Sequence, residues 1–274
     1  MLKQRVLTAL VLAPLMLCAT FLLPLFEFKL FIAAIVTLAA WEWANLSGYQ
    51  ESSQRVGYAV AVLGLVVLIK YLGFPALPIL LAAFAFWGLA LFWVCAYPKS
   101  LSQWQSCRAR AVMGLFVLIP AWSGLVELKG LPEGNLWLLL LMLLVWGADI
   151  GAYFSGKTWG NKKLAVEVSP GKTWAGFYGG VATSLLAALL FGLFCSFTMV
   201  QLVSLLLLSL GTALVSVLGD LLESMVKRHR GIKDSSQLLP GHGGVMDRVD
   251  SLTAAAPIFA LGLIMTELAR ITVV

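Results

Sequence analysis

The chain has 274 residues, 61% hydrophobic and only 12% charged, where a soluble globular domain carries about a quarter charged residues. Apolar runs of the roughly 20 residues needed to cross a bilayer core of about 30 Å recur from end to end, which excludes a disordered chain, a disulfide scaffold and a simple nucleic-acid binder. The net charge of +6 therefore bears first on orientation in a membrane, and no nucleic-acid partner is expected.

In chain order, the apolar windows predict spans at about 6–26, 28–46, 56–74, 76–97, 111–127, 136–155, 174–195, 199–222 and 252–272. The expected fold is an all-α integral membrane protein of about nine transmembrane helices. Lys3 and Arg5 precede the first run, but that run continues past Pro24 with no small-residue cleavage site, so it reads as a retained anchor rather than a signal peptide. The continuous runs lack the alternation of a transmembrane β-barrel. With the N-terminus cytoplasmic, 15 of the 19 Lys and Arg residues fall on that side, leaving Lys29, Lys70, Lys129 and Arg270 opposite. This is the positive-inside asymmetry, and it sends the C-terminus outward. Cys18, Cys95, Cys107 and Cys195 are scattered without metal-type spacing and read as reduced packing residues. Glu42 and Lys70, near the ends of their spans, are expected to snorkel or pair.

Residues 1–135 read as N-terminal membrane helices. Residues 136–274 read as a C-terminal catalytic region whose cytoplasmic loops, 156–173 and 223–251, carry most of the polar groups. Neither loop is long enough to bury a core of its own, so function is expected where both meet the membrane.

The eighth span ends with Asp220, Glu223, Ser224 and Lys227 at i, i+3, i+4 and i+7, one face of a continuing helix. Acids at the end of an apolar span need a cation or a wet pocket; a plain interfacial ion pair with Lys227 is the alternative. Lys233 and Asp234 then lead to Pro240-Gly241-His242-Gly243-Gly244-Val245-Met246-Asp247-Arg248-Val249-Asp250. The glycines around His242 expose backbone N–H groups that suit an anion, while Asp247 and Asp250 offer hard oxygen ligands suited to Mg²⁺. Upstream, Asp149 lies inside an apolar span, and Lys157 and Lys172 flank glycine-rich turns. Lys162 and Lys163 read instead as surface cations facing anionic head groups. Carboxylates, glycine nests and cations at one membrane edge describe a pocket for a polyphosphate, with a nucleotide as co-substrate and an acceptor supplied by the membrane. The soluble phosphate loop GxxxxGK[ST] is absent.

Ser224-Met225-Val226-Lys227-Arg228, Lys233-Asp234-Ser235-Ser236 and Leu239 through Asp250 resemble the signature of phosphatidate cytidylyltransferases, the CDP-diacylglycerol synthases. Asp149 to Lys157 and Ser169-Pro170-Gly171-Lys172-Thr173-Trp174 are similar to two further segments of that family; Ala175 departs from it where a polar residue is commoner. The resemblance covers the C-terminal half in its motifs and the N-terminal half in hydropathy alone. It implies transfer of CMP from CTP to phosphatidic acid, a requirement for Mg²⁺, and a homodimer in the cell inner membrane with the site on the cytoplasmic side. It also implies a paired-metal centre matching Asp220 and Asp247, with potassium as a candidate second ion and Asp250 or Glu223 as further ligands. Lys227 and Arg248 are then expected beside Asp220 and Asp247 in catalysis. Asp149, Lys157, Lys172, Ser224, Arg228, Lys233, Asp234, His242, Gly243 and Gly244 are expected to contact substrate. Competing readings are a CTP-dependent polyprenol or lipid kinase attacking the γ-phosphorus, and a cation transporter built on Asp149 and Asp220.

Overall fold

A computed structural model describes residues 2–270 of the chain. The side chains of Lys3 and Arg5, and residues 271–274 on which the outward C-terminus was read, lie outside the described residues. The elements in order are α1 (Leu2–Leu22), α2 (Leu25–Ser47), α3 (Ser52–Tyr71), α4 (Ala76–Cys95), the short α5 (Leu101–Trp104), α6 (Cys107–Gly130) and α7 (Gly134–Trp159). There follow strands β1 (Lys163–Ala165) and β2 (Ser169–Thr173), then α8 (Trp174–Phe194), α9 (Met199–Arg230), α10 (Met246–Met265) and a 3₁₀ turn (Glu267–Arg270). The first predicted span, 6–26, runs across the break at Leu23–Pro24 into α2, and the last, 252–272, extends beyond α10, which ends at Met265, but each predicted span overlaps a long helix. Seven of these among the described residues, α3, α4 and α6 through α10 without the strands, are long and apolar enough to cross a membrane. In α1 the described apolar stretch is the shorter Leu10–Leu22, and α2 carries Glu27, Lys29 and Glu42. The architecture is that of an all-α, multi-pass membrane protein.

Three local features depart from the sequence reading. The first polar loop is not wholly irregular: β1 and β2 form an antiparallel hairpin pairing Lys163 with Thr173 and Ala165 with Ser169. Pro170 is tolerated there because a two-stranded ribbon has outward-facing edges that need no donor. Second, the loops are shorter than 156–173 and 223–251, because α7 runs to Trp159, α9 runs to Arg230 and α10 begins at Met246. Hydropathy marks where lipid ends, whereas helix ends are set by capping. The last turn of α9 holds Lys227, Arg228, His229 and Arg230, which favour a helix C-terminus. Gly231 then ends it at φ 69°, with Gly231 and Ile232 N–H groups donating to the Arg228 and Lys227 carbonyls. At 32 residues and 1.5 Å per residue, α9 is about 48 Å long, so its acidic and basic end projects beyond a core of about 30 Å. Third, Glu42 does not snorkel but is fully buried, as described below.

The last helix is central. α10 packs against α2, α4, α6, α7 and α9, and Ala254, Ala255, Ala256 and Ala260 are all fully buried. Small residues let neighbouring backbones come close: a Cβ added to Gly219 of α9 would meet the Asp250 carbonyl oxygen at 2.5 Å, and one added to Gly124 of α6 would lie 2.9 Å from the Ala256 carbonyl.

α7 and α8 pack in the same way through Gly151, Gly176, Gly179 and Gly180. A Cβ on Gly176 would lie 2.9 Å from the Ala152 oxygen, and one on Gly180 2.7 Å from the Ala148 oxygen. The Ser184 hydroxyl also donates across the interface to the Leu144 carbonyl at 2.7 Å. Because the obstacle at Gly180 is backbone rather than a flexible side chain, Gly180→Leu must separate the helices. It is expected to cost about 3 kcal/mol, read as a lowered midpoint of thermal unfolding in detergent, while Leu186→Ala on the exposed face of α8 leaves the midpoint in place.

Candidate active site

α7, α8, α9 and the hairpin enclose an open cavity of about 400 Å³. Its walls carry Asp149, Tyr153 and Lys157 from α7, Gly171, Lys172 and Thr173 from β2, Asp220 from α9 and Ser251 from α10. Local structure fixes these positions. The Thr173 hydroxyl caps α8 by accepting from the Gly176 N–H at 3.1 Å. The Trp174 N–H donates to the Lys162 carbonyl at 2.9 Å, so the hairpin closes onto the start of α8. Arg228 ties it to α9, its Nε donating to the Val168 carbonyl at 3.2 Å.

The acidic residues form a line across the α9–α10 contact. Asp220 and Glu223 stand at i and i+3 on α9, and Asp247 and Asp250 stand at i and i+3 on α10, so each helix offers two acids on one face. Asp250 feels the charges of both Asp220 and Glu223, and Asp149, across the cavity, feels Asp220, Lys172 and Arg248. Asp220 accepts from the Ser224 hydroxyl at 3.1 Å through Oδ1 and pairs through Oδ2 with Lys172 Nζ at 2.7 Å. At the other end Lys227 Nζ lies 2.6 Å from both Glu223 Oε2 and Asp247 Oδ1. Lys227 is thus committed to two carboxylates, and the cations nearest the cavity are Lys157 and Lys172. Lys157 also lies over the Tyr153 ring, 5.8 Å from its centroid.

The segment 231–245 is folded by its own chemistry. Pro240 and Gly241 occupy the centre of a turn closed by the His242 N–H donating to the Leu239 carbonyl at 2.9 Å, and Gly241 takes the positive φ of 75° that a type II turn requires at its third position. The Leu239 N–H in turn donates to the Gly243 carbonyl at 2.8 Å. Gly243, at φ 83°, has no room for a side chain: a Cβ there would lie 2.8 Å from Asp247 Oδ2 and 3.2 Å from the Asp234 Cβ. Asp247 Oδ2 accepts from the Gly244 N–H at 2.7 Å, the Ser235 N–H at 2.9 Å and the Ser235 hydroxyl at 2.8 Å. Arg248 Nε donates to the His242 carbonyl at 3.1 Å. Gly243 and Gly244 therefore pack against Asp247, none of Asp234, His242, Gly243 and Gly244 is among the residues lining the cavity, and Lys233 is exposed.

Sequence reasoning missed one residue. Glu42, on α2, accepts from the Val245 N–H at 2.9 Å, the Met246 N–H at 2.5 Å, the Ser236 hydroxyl at 2.5 Å and the Ser235 hydroxyl at 3.2 Å. The first turn of α10 has no local side-chain cap, and this distant carboxylate supplies it. The signal available in the sequence was an acid within the last turns of an apolar span with no Lys or Arg three or four residues away on either side.

A model of the cytidylyltransferase family matches residues 3–265. The chain belongs to that family. It is 54% identical over 263 residues to a phosphatidate cytidylyltransferase of Pseudomonas aeruginosa, covering 95% of this chain and 96% of the relative. It is 43% identical to one from Haemophilus influenzae, covering 95% and 98%, and 38% identical to one from Brucella suis, covering 97% and 95%. The matched range spans every residue of the cavity and the acidic line, and Glu42 as well.

The donor set suits a hard cation. Asp149 and Asp220 line the cavity, and the buried Glu223 carboxyl lies against Asp250 as well as Lys227. No cluster of three or more acidic, His or Cys residues is preformed as a metal cage among the described residues. Mg²⁺ needs none, since it commonly binds one or two carboxylates together with water and substrate phosphates.

Proposed function

We propose that this protein transfers CMP from CTP to phosphatidic acid, forming CDP-diacylglycerol and pyrophosphate in phospholipid biosynthesis. The observation that carries the reading is the 54% identity, over 95% of the chain, to a protein named for that activity. The geometry agrees with it: a cavity carrying Asp149, Asp220, Lys157 and Lys172 on otherwise largely apolar walls lies among helices with an apolar outer surface. A lipid acceptor can keep its acyl chains in the bilayer while its head group enters this cavity, and a soluble nucleotide can reach it from water.

In the reaction a phosphatidate oxygen forms a bond to the α-phosphorus of CTP as the bond to the β-phosphate oxygen breaks and pyrophosphate leaves. A phosphate monoester has a second pKa near about 6, so the nucleophile is ionised at neutral pH and no residue here has to take a proton. His242, whose backbone closes the turn beside Asp247, fits that account as a loop organiser. The task left to the chain is to bring two anions together. Lys172 lies where it can exchange Asp220 for a phosphate, Lys157 stands on the same wall, and Arg248 is electrostatically coupled to Asp149 across the cavity. Mg²⁺, which Asp220 and Asp247 would hold with Asp250 and Glu223, would neutralise charge on the transferring phosphates, and potassium is the candidate for a second ion.

The same reading includes α1 and α2 as membrane passes, for nine in all, with the N-terminus and the site cytoplasmic, the C-terminus outside, and a homodimer in the inner membrane. The Lys and Arg bias supports the orientation. The test is product release from CTP by purified protein in detergent. Pyrophosphate is expected only when phosphatidic acid and Mg²⁺ are both present, and its release is expected to collapse in Asp247→Asn. CDP as product would establish the kinase instead, and neither product from a folded protein would reopen cation transport.

A further inference from the structure

We propose that Glu42 is a positioning residue for the transfer reaction, holding the start of α10 and segment 231–245 so that Asp247 presents a fixed orientation. This rests on the proposed function, although the arrangement itself does not. Glu42 is fully buried, and its hydrogen-bond donors among the described residues come from the far end of the chain: two backbone N–H groups of the α10 start and the hydroxyls of Ser235 and Ser236. These donors are the ones a helix N-terminus leaves unsatisfied, and a carboxylate there also meets the positive end of the helix dipole.

The contacts divide between two carboxylates. Asp247 takes the Gly244 N–H while Glu42 takes the next two, Val245 and Met246. Ser235 stands between them, its hydroxyl 2.8 Å from Asp247 Oδ2 and 3.2 Å from Glu42 Oε2. A hydroxyl has one hydrogen, so Ser235 donates to one acid at a time and links their positions. Asp247 is thereby clamped from two sides, by Lys227 at Oδ1 and by the Glu42-held loop at Oδ2. Space is as restricted as the bonding, since a Cβ on Gly244 would collide with the Ser235 hydroxyl and lie 2.5 Å from Glu42 Oε1. The neighbouring turn of α2 grips the same region: Asn45 Nδ2 donates to the Ser235 carbonyl at 3.0 Å, and Arg230 Nε donates to the Asn45 carbonyl at 3.0 Å. Among the described residues none of the hydrogen-bond partners of Glu42 lines the cavity, so its influence on the reaction passes through loop and helix position.

Glu42→Gln keeps the length but turns one acceptor into a donor facing donors, Glu42→Asp keeps both acceptors on a shorter stem, and Ser236→Ala removes one contact that does not involve Asp247. With transfer kinetics measured on the full chain in detergent, Glu42→Gln is expected to lower kcat at least about tenfold with KM for phosphatidic acid unchanged. Glu42→Asp is expected to recover part of that loss, and Ser236→Ala to lower kcat by a smaller factor in the same direction. Hydrogen exchange without substrate is expected to rise in Glu42→Gln at 231–247 and not in α7 or α8. A wild-type kcat in Glu42→Gln with unchanged exchange overturns the proposal. If Glu42→Gln fails to fold, Ser236→Ala decides, and a folded Ser236→Ala protein with parental kcat and exchange overturns it equally. If the wild-type protein makes no CDP-diacylglycerol, the proposed function falls, and the exchange experiment still decides whether Glu42 orders the loop.

Discussion

Asp220→Asn is expected to fold normally and to transfer CMP about a thousandfold more slowly, a loss of about 4 kcal/mol at 1.36 kcal/mol per factor of ten. Asp220 stands on the cavity wall with its side chain 31% exposed, and its partner Lys172 is 26% exposed. An ion pair with that much access to water contributes little to stability, about 0–1 kcal/mol. The asparagine keeps an oxygen for the Ser224 hydroxyl, and Lys172, at the end of a hairpin, can turn to solvent. What the substitution removes is a negative oxygen at the one place where α9 meets both the cavity and Asp250. Pyrophosphate release and thermal unfolding of the same preparation check this together. A rate within about tenfold of the parent, or a rate loss matched by unfolding, would sink it.

Lys227→Met should show the opposite profile. Lys227 holds Glu223, whose side chain is 1% exposed, and Asp247, 5% exposed, each at 2.6 Å. Methionine fills similar volume but leaves two buried carboxylates with no cation between them, with Asp250 a third acid against Glu223. Removing one partner of a buried pair costs about 3–5 kcal/mol, so the protein is expected to unfold at a clearly lower temperature in detergent and to lose activity with its fold. Adding Glu223→Gln should return part of the stability, because one of the two stranded charges is gone. An unaltered unfolding midpoint for Lys227→Met would show that the triad carries no structural load.

Although the first predicted span ran through the break between α1 and α2 at Leu23–Pro24, the helices were legible in the sequence because burying some 20 apolar residues in lipid dominates every local preference. Their ends were not, since Gly231 stops α9 eight residues beyond the predicted boundary and Glu42 allows α10 to begin six residues before it. The signature through Asp250 located the acids of α10, and the i, i+3 spacing placed Asp220 and Glu223 on one side of α9. Spacing offered the Glu223–Lys227 pair that the structure contains, but it could not show that Lys227 also meets Asp247 across the helix contact or that Lys172 meets Asp220 at the cavity. The hairpin was hidden because Ser169-Pro170-Gly171 has turn chemistry and no strand pattern. Glu42 was hidden because its partners, Val245 and Met246, lie 203 and 204 residues away.

That separation has a consequence for how the protein is made. A ribosome delivers α2 long before α10, so the carboxylate of Glu42 must wait within an otherwise apolar segment while some two hundred residues are synthesised. Its hydrogen bonding is complete only when the start of α10 adds the Val245 and Met246 N–H groups to the hydroxyls of Ser235 and Ser236, which makes arrival of α10 the event that completes the packing of the first half. Chains truncated before Val245 are therefore expected to be left with an unsheltered acid, the kind of exposed intramembrane charge that marks an unfinished membrane protein for removal.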